Sequence, residues 1–511
     1  KMYFVCFLMI INSFLELVSI GIFIPLISLM MESNVDNIFV NKLADLLLLF
    51  GFEFDIYSIC IIIISIYVIK YAFVIFFNKK QAAFIHMFKS AISTRLFKHI
   101  LSKNYKYHSI TAESVLIRNA KTEVQIFVNG FLIPFLSFIL SLFVTFFLIS
   151  LLLIYNFLAT SIILLVFSIT YILISKHYSK LLSDIGNIRQ EHDKYILKYL
   201  LQSLRSIVEV KIFNLEKYYL EKFSKKNDKL AQTLIEKTLY GVMPKIFFEG
   251  LILLITLSFI IFFSFNGMPL NELFAKILIY AVVVFRLLPS ITGMARFEQK
   301  IRFALPAVDT IHEFLKNKSF IDTNDHHDKD FEFKSNIKLE NITYKYDNKK
   351  IIDNINFEIK KGDKVCILGR NGSGKSTIMK ILAGLLHPDT GSVKIDNINL
   401  RNNIFKWFEN LSYVPQETNL IEGSLIENIC PGIEKKDIDL TRINEVIEKA
   451  ELTSFVQKIG IDKELNEFGQ NLSGGEKQKI ALARALYRNS NVILLDEVTS
   501  AMDINSQNNF L

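Results

Sequence analysis

At 511 residues the chain has room for two or three domains, and its composition excludes an ordinary water-soluble protein: 51% of residues are hydrophobic, 45 are Phe, and the mean hydropathy is +0.33. Part of the chain needs a second, oily solvent. The formal charge of +8 gathers in loops beside apolar runs, which points to membrane topology and away from nucleic acid. The four cysteines (Cys6, Cys60, Cys366, Cys430) have neither metal-ligand nor redox spacing and read as core thiols.

In chain order, six apolar runs are long enough, or nearly so, to cross about 30 Å of hydrocarbon. They are Tyr3–Met31, Ile56–Phe77, Ile126–Tyr155, Phe157–Ser175, Ile246–Phe265 and Leu273–Leu288. The first is too long for the core of a signal peptide and has no small-residue cleavage site after it, so it reads as a span. Asn156 alone separates the third from the fourth and predicts a tight turn. The sixth has Lys276 and Arg286 near its ends.

Loop charge predicts orientation. Segment 32–55 carries five acids against Lys42, whereas 79–125 carries nine Lys/Arg and 176–245 carries fourteen. The basic loops are therefore expected in the cytoplasm, with both termini. Apolar residues at three- and four-residue spacing over His192–Asn214 predict long helices continuing out of the membrane. After Leu315 the chain turns polar, over Lys316–Asn336. Asp325, His326, His327 and Asp328 in that stretch read as a solvated linker, with metal binding the alternative. From Ile337 short β-rich and helical runs alternate, predicting an α/β domain. The expected organisation is a six-helix transmembrane domain (1–316), a linker (317–336) and an α/β P-loop domain (337–511).

Two patterns carry chemistry. Lys364–Leu368 reads as a strand leading into Gly369, Arg370, Asn371, Gly372, Ser373, Gly374, Lys375, Ser376 and Thr377, followed by a helix. This is a phosphate loop in its required strand–loop–helix context. Its glycines let N–H groups converge on phosphate oxygens, Lys375 neutralises the β- and γ-phosphates, and the Ser376 hydroxyl can ligate Mg²⁺. Val492–Leu495 then reads as a buried strand ending in Asp496, to hold Mg²⁺, and Glu497, to polarise the attacking water. Standing by itself, such an acid pair reads more readily as a helix N-cap. Ser473, Gly474 and Gly475 open another helix 98 residues beyond Lys375, a second anion-binding nest outside the first loop.

These motifs, in this order, resemble the nucleotide-binding domain of ABC transporters, with Leu472–Glu476 similar to the signature motif although Glu476 replaces its usual Gln. The resemblance implies that Tyr346 stacks on adenine, and that Gln416 is the loop amide that contacts Mg²⁺ and the membrane domain. It also implies that Glu467 and Gly469 form the X-loop and Ser500–Asp503 the D-loop. Taken alone, Tyr346 reads equally as a packed aromatic and Gln416 as an ordinary loop amide. The family's switch histidine would follow the D-loop, and the sequence stops at Leu511. The chain is therefore expected to be a fragment truncated at both ends that binds ATP better than it turns ATP over. In this family the phosphate loop of one subunit and the signature of another close on one ATP, so one cassette with six spans implies a homodimer. Contact of the long loops with the cassettes is expected near Tyr107–Ser114 and Val210–Leu215.

Ionisable residues inside spans default to function. Glu16, Lys70, Glu249 and Arg286 qualify, with Lys245 at a span end; internal pairing, as of Glu249 with Lys245 one turn apart, is the alternative. Three segments around Glu16, Lys245–Glu249 and Arg286 are similar to parts of bacterial lipid-linked-oligosaccharide flippases. Ile38–Leu49 resembles their short external helix. That resemblance implies a bacterial inner-membrane exporter or flippase whose cavity bases Lys70, Lys245 and Arg286 receive a lipid diphosphate. Lys at 70 and 245 in place of Arg, and Gly293 in place of a further Arg, weaken this expectation. Export of a peptide or hydrophobic drug and a non-transport ATP-binding regulator are the alternatives.

Overall fold

The computed structural model describes residues 2–23, 26, 55–155, 157–265, 270–316, 331, 333–346, 349–465 and 472–498, with backbone alone for 155, 158, 159, 163, 259, 262–265 and 270–286. The segment resembling an external helix (38–49), the linker cluster 325–328, Glu467, Gly469 and Ser500–Asp503 lie outside the described residues. The chain divides into two compact units, one of residues 1–103 and 111–320 and the other of 104–110 and 321–511.

The first unit is built of very long helices: α1 (Met2–Gly21), α2 (Ile56–Leu101), α4 (Ile133–Tyr155), α5 (Phe157–Arg205), α7 (Glu216–Phe265) and α8 (Leu270–Lys316). Between α2 and α4 lies α3 (Tyr105–Ile110), and between α5 and α7 lies α6 (Ile207–Ile212). Helices α2, α5, α7 and α8 run 46, 49, 50 and 47 residues. At 1.5 Å per residue each spans roughly 70 Å, more than twice the hydrocarbon thickness. The expected extensions beyond the membrane are present. Among the described residues five helices are apolar and long enough to cross a membrane, and α8 continues unbroken through Leu273–Leu288. Side chains of these helices point outward in large numbers, as with Ile64, Phe146 and Leu254, which suits a lipid surround.

Close approach holds α5 to α8. A Cβ on Gly186 would lie 2.4 Å from the Phe303 carbonyl oxygen, so only glycine permits the contact. Beside it Arg189 grips the fully buried Glu123 with both terminal nitrogens, at 3.3 and 3.2 Å, and Arg118 adds a second cation at 3.5 Å. Glu123 closes one of two π-helical turns, Arg118–Glu123 and Phe127–Leu132, that lead into α4.

The second unit has an antiparallel sheet in the order β2-β1-β3-β4, with β1 (Asn336–Tyr346), β2 (Lys349–Lys360), β3 (Thr390–Ile395) and β4 (Ile398–Asn399). Ile337, Leu339, Ile342 and Tyr344 turn one face of β1 inward. They meet α9 (Lys375–Leu382) and the fully buried Trp407, whose indole N–H donates to the Leu382 carbonyl at 2.9 Å. A parallel pair, β5 (Leu411–Val414) and β6 (Val492–Leu495), carries the acid pair at its end. Lys364–Leu368 departs from expectation: it is extended but pairs with no strand among the described residues, and Val365 and Leu368 are exposed. A run without a ladder partner cannot meet the hydrogen-bond definition of a strand. The unit also includes α3, whose Tyr105 packs on the Trp407 core beneath the ammonium of Lys380, 5.4 Å from the ring centroid.

Candidate functional site: a phosphate loop and an acid pair

The loop from Gly369 to Gly374 curls because its glycines allow it. Gly372 and Gly374 have φ of 79° and 95°, and a Cβ on Gly369 would lie 2.6 Å from Ser373 Oγ. Lys375 Nζ donates to the carbonyls of Gly369 and Arg370 at 3.0 and 3.3 Å, which holds its charge inside the curl. Gly374 is the cap of α9, so the orphan N–H groups of that helix face the same space.

The acid pair closes the site. Ser376 Oγ donates to Asp496 Oδ1 at 3.1 Å, and Gln416 Nε2 donates to Glu497 Oε2 at 2.7 Å. A serine hydroxyl, a buried carboxylate and an amide carbonyl are all hard oxygen donors, the set that suits Mg²⁺. Glu497 sits at φ 51°, a left-handed conformation that a non-glycine residue adopts at a cost and that recurs at functional sites. Ser376, Gln416, Asp496 and Glu497, far apart in sequence, are thus brought together with the Lys375 loop.

Tyr346 is exposed at the end of β1, its ring 5.0 Å from that of Tyr344 and nearly perpendicular to it. Ser473 caps α10 (Gly474–Arg488) in a capping box with Glu476: Ser473 N and Oγ donate to Glu476 Oε2 at 2.7 and 2.8 Å, and Glu476 N donates to Ser473 Oγ. Glu476 thus fills the N3 position of the box, as a Gln would. The bases expected in the cavity are placed as follows. Lys70 is buried against Glu16 at 2.6 Å and Ser19 Oγ at 2.9 Å, with Tyr67 and Tyr71 beside it. Lys245 lies 3.6 Å from Glu249, and both are largely exposed in the single chain. The Arg286 side chain lies outside the described residues.

Sequence reasoning missed Tyr413. Its hydroxyl donates to Asp496 Oδ2 at 2.9 Å, so the two carboxylate oxygens of Asp496 are held by Tyr413 and Ser376. Burial, reinforced by that bond, pushes the phenol far above its usual range and keeps it a donor. A tyrosine two residues before Pro415-Gln416 carries no signal of this, since Asp496 lies 83 residues away. Groups that orient a metal-holding carboxylate usually change metal affinity about 10–100-fold when removed. Tyr413→Phe is accordingly expected to raise the Mg²⁺ needed for half-maximal nucleotide binding by about tenfold, without changing ATP binding in chelator. Titration with a fluorescent ATP analogue reads both, and an unaltered Mg²⁺ requirement would reject the role.

A domain of long apolar helices fused to a phosphate-loop domain with this acid pair defines a membrane-embedded, nucleotide-binding protein. Residues 3–288 match the ABC transporter transmembrane region and residues 352–500 match the ABC transporter family of ATP-binding domains. The chain belongs to the ABC transporter family.

Over 451 residues, 82% of the chain, it is 29% identical to the lacticin-481/lactococcin-DR transport/processing ATP-binding protein of Lactococcus lactis, of which 59% is covered. Over 310 residues, 60% of the chain, it is 29% identical to the ATP-dependent lipid A-core flippase of Saccharophagus degradans, of which 52% is covered. The matches thus span little more than half the length of these relatives. The solved structure of a bacterial Atm1-family ABC exporter with ATP bound matches 98% of this chain and 87% of its own at a TM-score of 0.79 and 18% identity, which establishes the shared fold.

Proposed function

We propose that this chain is one subunit of a homodimeric, ATP-driven exporter of the bacterial inner membrane that moves an amphipathic lipid, of the lipid-linked-oligosaccharide kind, with its cassette in the cytoplasm. The observation that carries the ATP-driven part is the convergence of Ser376, Asp496, Gln416 and Glu497 beside the Lys375 loop. Gly369–Thr377 cradle the phosphates, Lys375 neutralises them, and Tyr346 offers its exposed ring to the adenine. Ser376, Asp496 and Gln416 would hold Mg²⁺, which supplies charge neutralisation on the phosphates. Glu497 accepts a proton from the attacking water, and Ser473, Gly474 and Gly475 of a second copy cap the same ATP.

A second copy is also supported by α6. Ile207, Val208, Ile212 and Phe213 on and beside it are all exposed in the single chain. So apolar a tip, carried between two very long helices, calls for cover.

The lipid part rests on the flippase-like segments and on the lipid A-core flippase relative. Peptide export is the second reading, favoured by the lactococcal transport relative aligned over 82% of the chain and by the carboxylates already paired with Lys70 and Lys245. ATPase activity of the full-length protein in liposomes decides between them. A polyprenyl-diphosphate glycan is expected to stimulate turnover, and neutralising Lys70, Lys245 and Arg286 together to abolish that stimulation. Stimulation by peptides alone selects the second reading. Absence of any ATP turnover rejects both.

A further inference from the structure

Between α5 and α8 lies a small pocket, its free surface mostly apolar, outside the bases considered above. Tyr171, Ser175, Tyr178 and Ser179 of α5 line it with Glu298, Gln299 and Arg302 of α8, over an apolar floor. The free space is about 10 Å³, room for one water-sized group. Glu298 is fully engaged: Tyr171 OH donates to it at 2.7 Å, Ser175 Oγ at 2.6 Å, and Arg302 lies 3.5 Å away. Gln299 is not. It is only 8% exposed, yet neither its Oε1 nor its Nε2 has a hydrogen-bond partner among the described residues. A buried amide with both ends unpaired is costly, and such a group calls for an occupant.

Valence selects that occupant. Oε1 needs a donor and Nε2 an acceptor, so the missing group must be both. A phosphate only accepts and an ammonium only donates. A hydroxyl satisfies both ends and fits a space that a planar amide would overfill. Ser175 ends the apolar run Phe157–Ser175 and Lys176 begins the basic segment, so the pocket lies at the depth of lipid headgroups on the basic side.

We infer that this pocket binds a neutral hydroxyl of a lipid headgroup, the sugar or polyol part of the cargo and not its phosphate. The inference rests on the lipid-exporter reading and adds to it a second, uncharged point of recognition. A site built to bond a hydroxyl discriminates strongly against an analogue without one.

The test uses the full chain in phosphatidylethanolamine vesicles containing either monoglucosyl-diacylglycerol or diacylglycerol. It reads the half-maximal lipid concentration for ATPase stimulation and, separately, the lipid-dependent rise in melting temperature. Glucosyl lipid is expected to act and diacylglycerol not. Gln299→Leu, or Gln299→Met should the first fail to fold, is expected to raise the half-maximal glucosyl-lipid concentration at least about tenfold in both readouts. Values within twofold of the parent protein would leave only a bound water in the pocket and overturn the inference, as would equal responses to the two lipids. A parent protein that turns over ATP but responds to neither lipid overturns this inference together with the lipid cargo. A melting shift lost in Gln299→Leu, in a protein without ATP turnover, would uphold the pocket and overturn the exporter reading alone.

Discussion

Glu497→Gln is expected to lower ATP hydrolysis by about 10²–10⁴-fold, the usual contribution of a positioned general base, while leaving ATP binding in place. The exchange is isosteric and removes only basicity. The Gln416 amide can still donate to the remaining side-chain oxygen, as it now does at 2.7 Å, and the P-loop contacts of Lys375 and Ser376 are untouched. Because Glu497 already stands in a left-handed backbone conformation, its side chain is aimed by the chain itself, at φ 51°, and not by the substrate. The variant should therefore load nucleotide normally and stall before cleavage. If two copies close on ATP, the stalled form accumulates, and cysteines placed beside Lys375 on one copy and Ser473 on the other should crosslink only with ATP present. Single-turnover hydrolysis and that crosslink are the measurements. A loss of less than tenfold would assign the water to another group, and a crosslink indifferent to ATP would remove the shared site.

How much of this was legible in sequence depended on how far the partners stand apart along the chain. The P-loop reads directly, since Gly372 and Gly374 occupy left-handed positions and Gly369 leaves no room for a Cβ. The Lys245–Glu249 pairing was also foreseeable, because helix geometry places residues four apart side by side. By contrast, the bond of Gln416 to Glu497 joins residues 81 apart, and that of Tyr413 to Asp496 joins residues 83 apart. No local periodicity encodes such meetings. The same holds for the Tyr105 segment, which lies between membrane helices in sequence but packs with the core of the second unit. Lys364–Leu368 shows the opposite limit: its composition is that of a strand, but strand formation needs a neighbour that composition does not reveal.

Lys70→Met is expected to destabilise the helical domain by about 3–5 kcal/mol, the usual cost of removing one member of a buried ion pair. Lys70 is 2% exposed and Glu16 12% by side chain, their atoms 2.6 Å apart, and Ser19 on the turn after Glu16 takes a second ammonium proton. Removing the cation leaves the Glu16 carboxylate without its ammonium in a low-dielectric setting, where desolvation is not offset. Replacing both, as Glu16→Gln with Lys70→Met, removes the charge along with its partner and should recover most of the loss. Melting temperatures in detergent for the two single variants and the double variant give this coupling directly. The same three proteins separate structure from transport. If Lys70 serves only to tie α2 to α1, the double variant regains stability and its response to polyprenyl-diphosphate glycan together. If the ammonium also meets the diphosphate, stability returns and the response does not. A Lys70→Met protein that melts with the parent would show that the pair is not tightly coupled, and the base would then be free to face cargo.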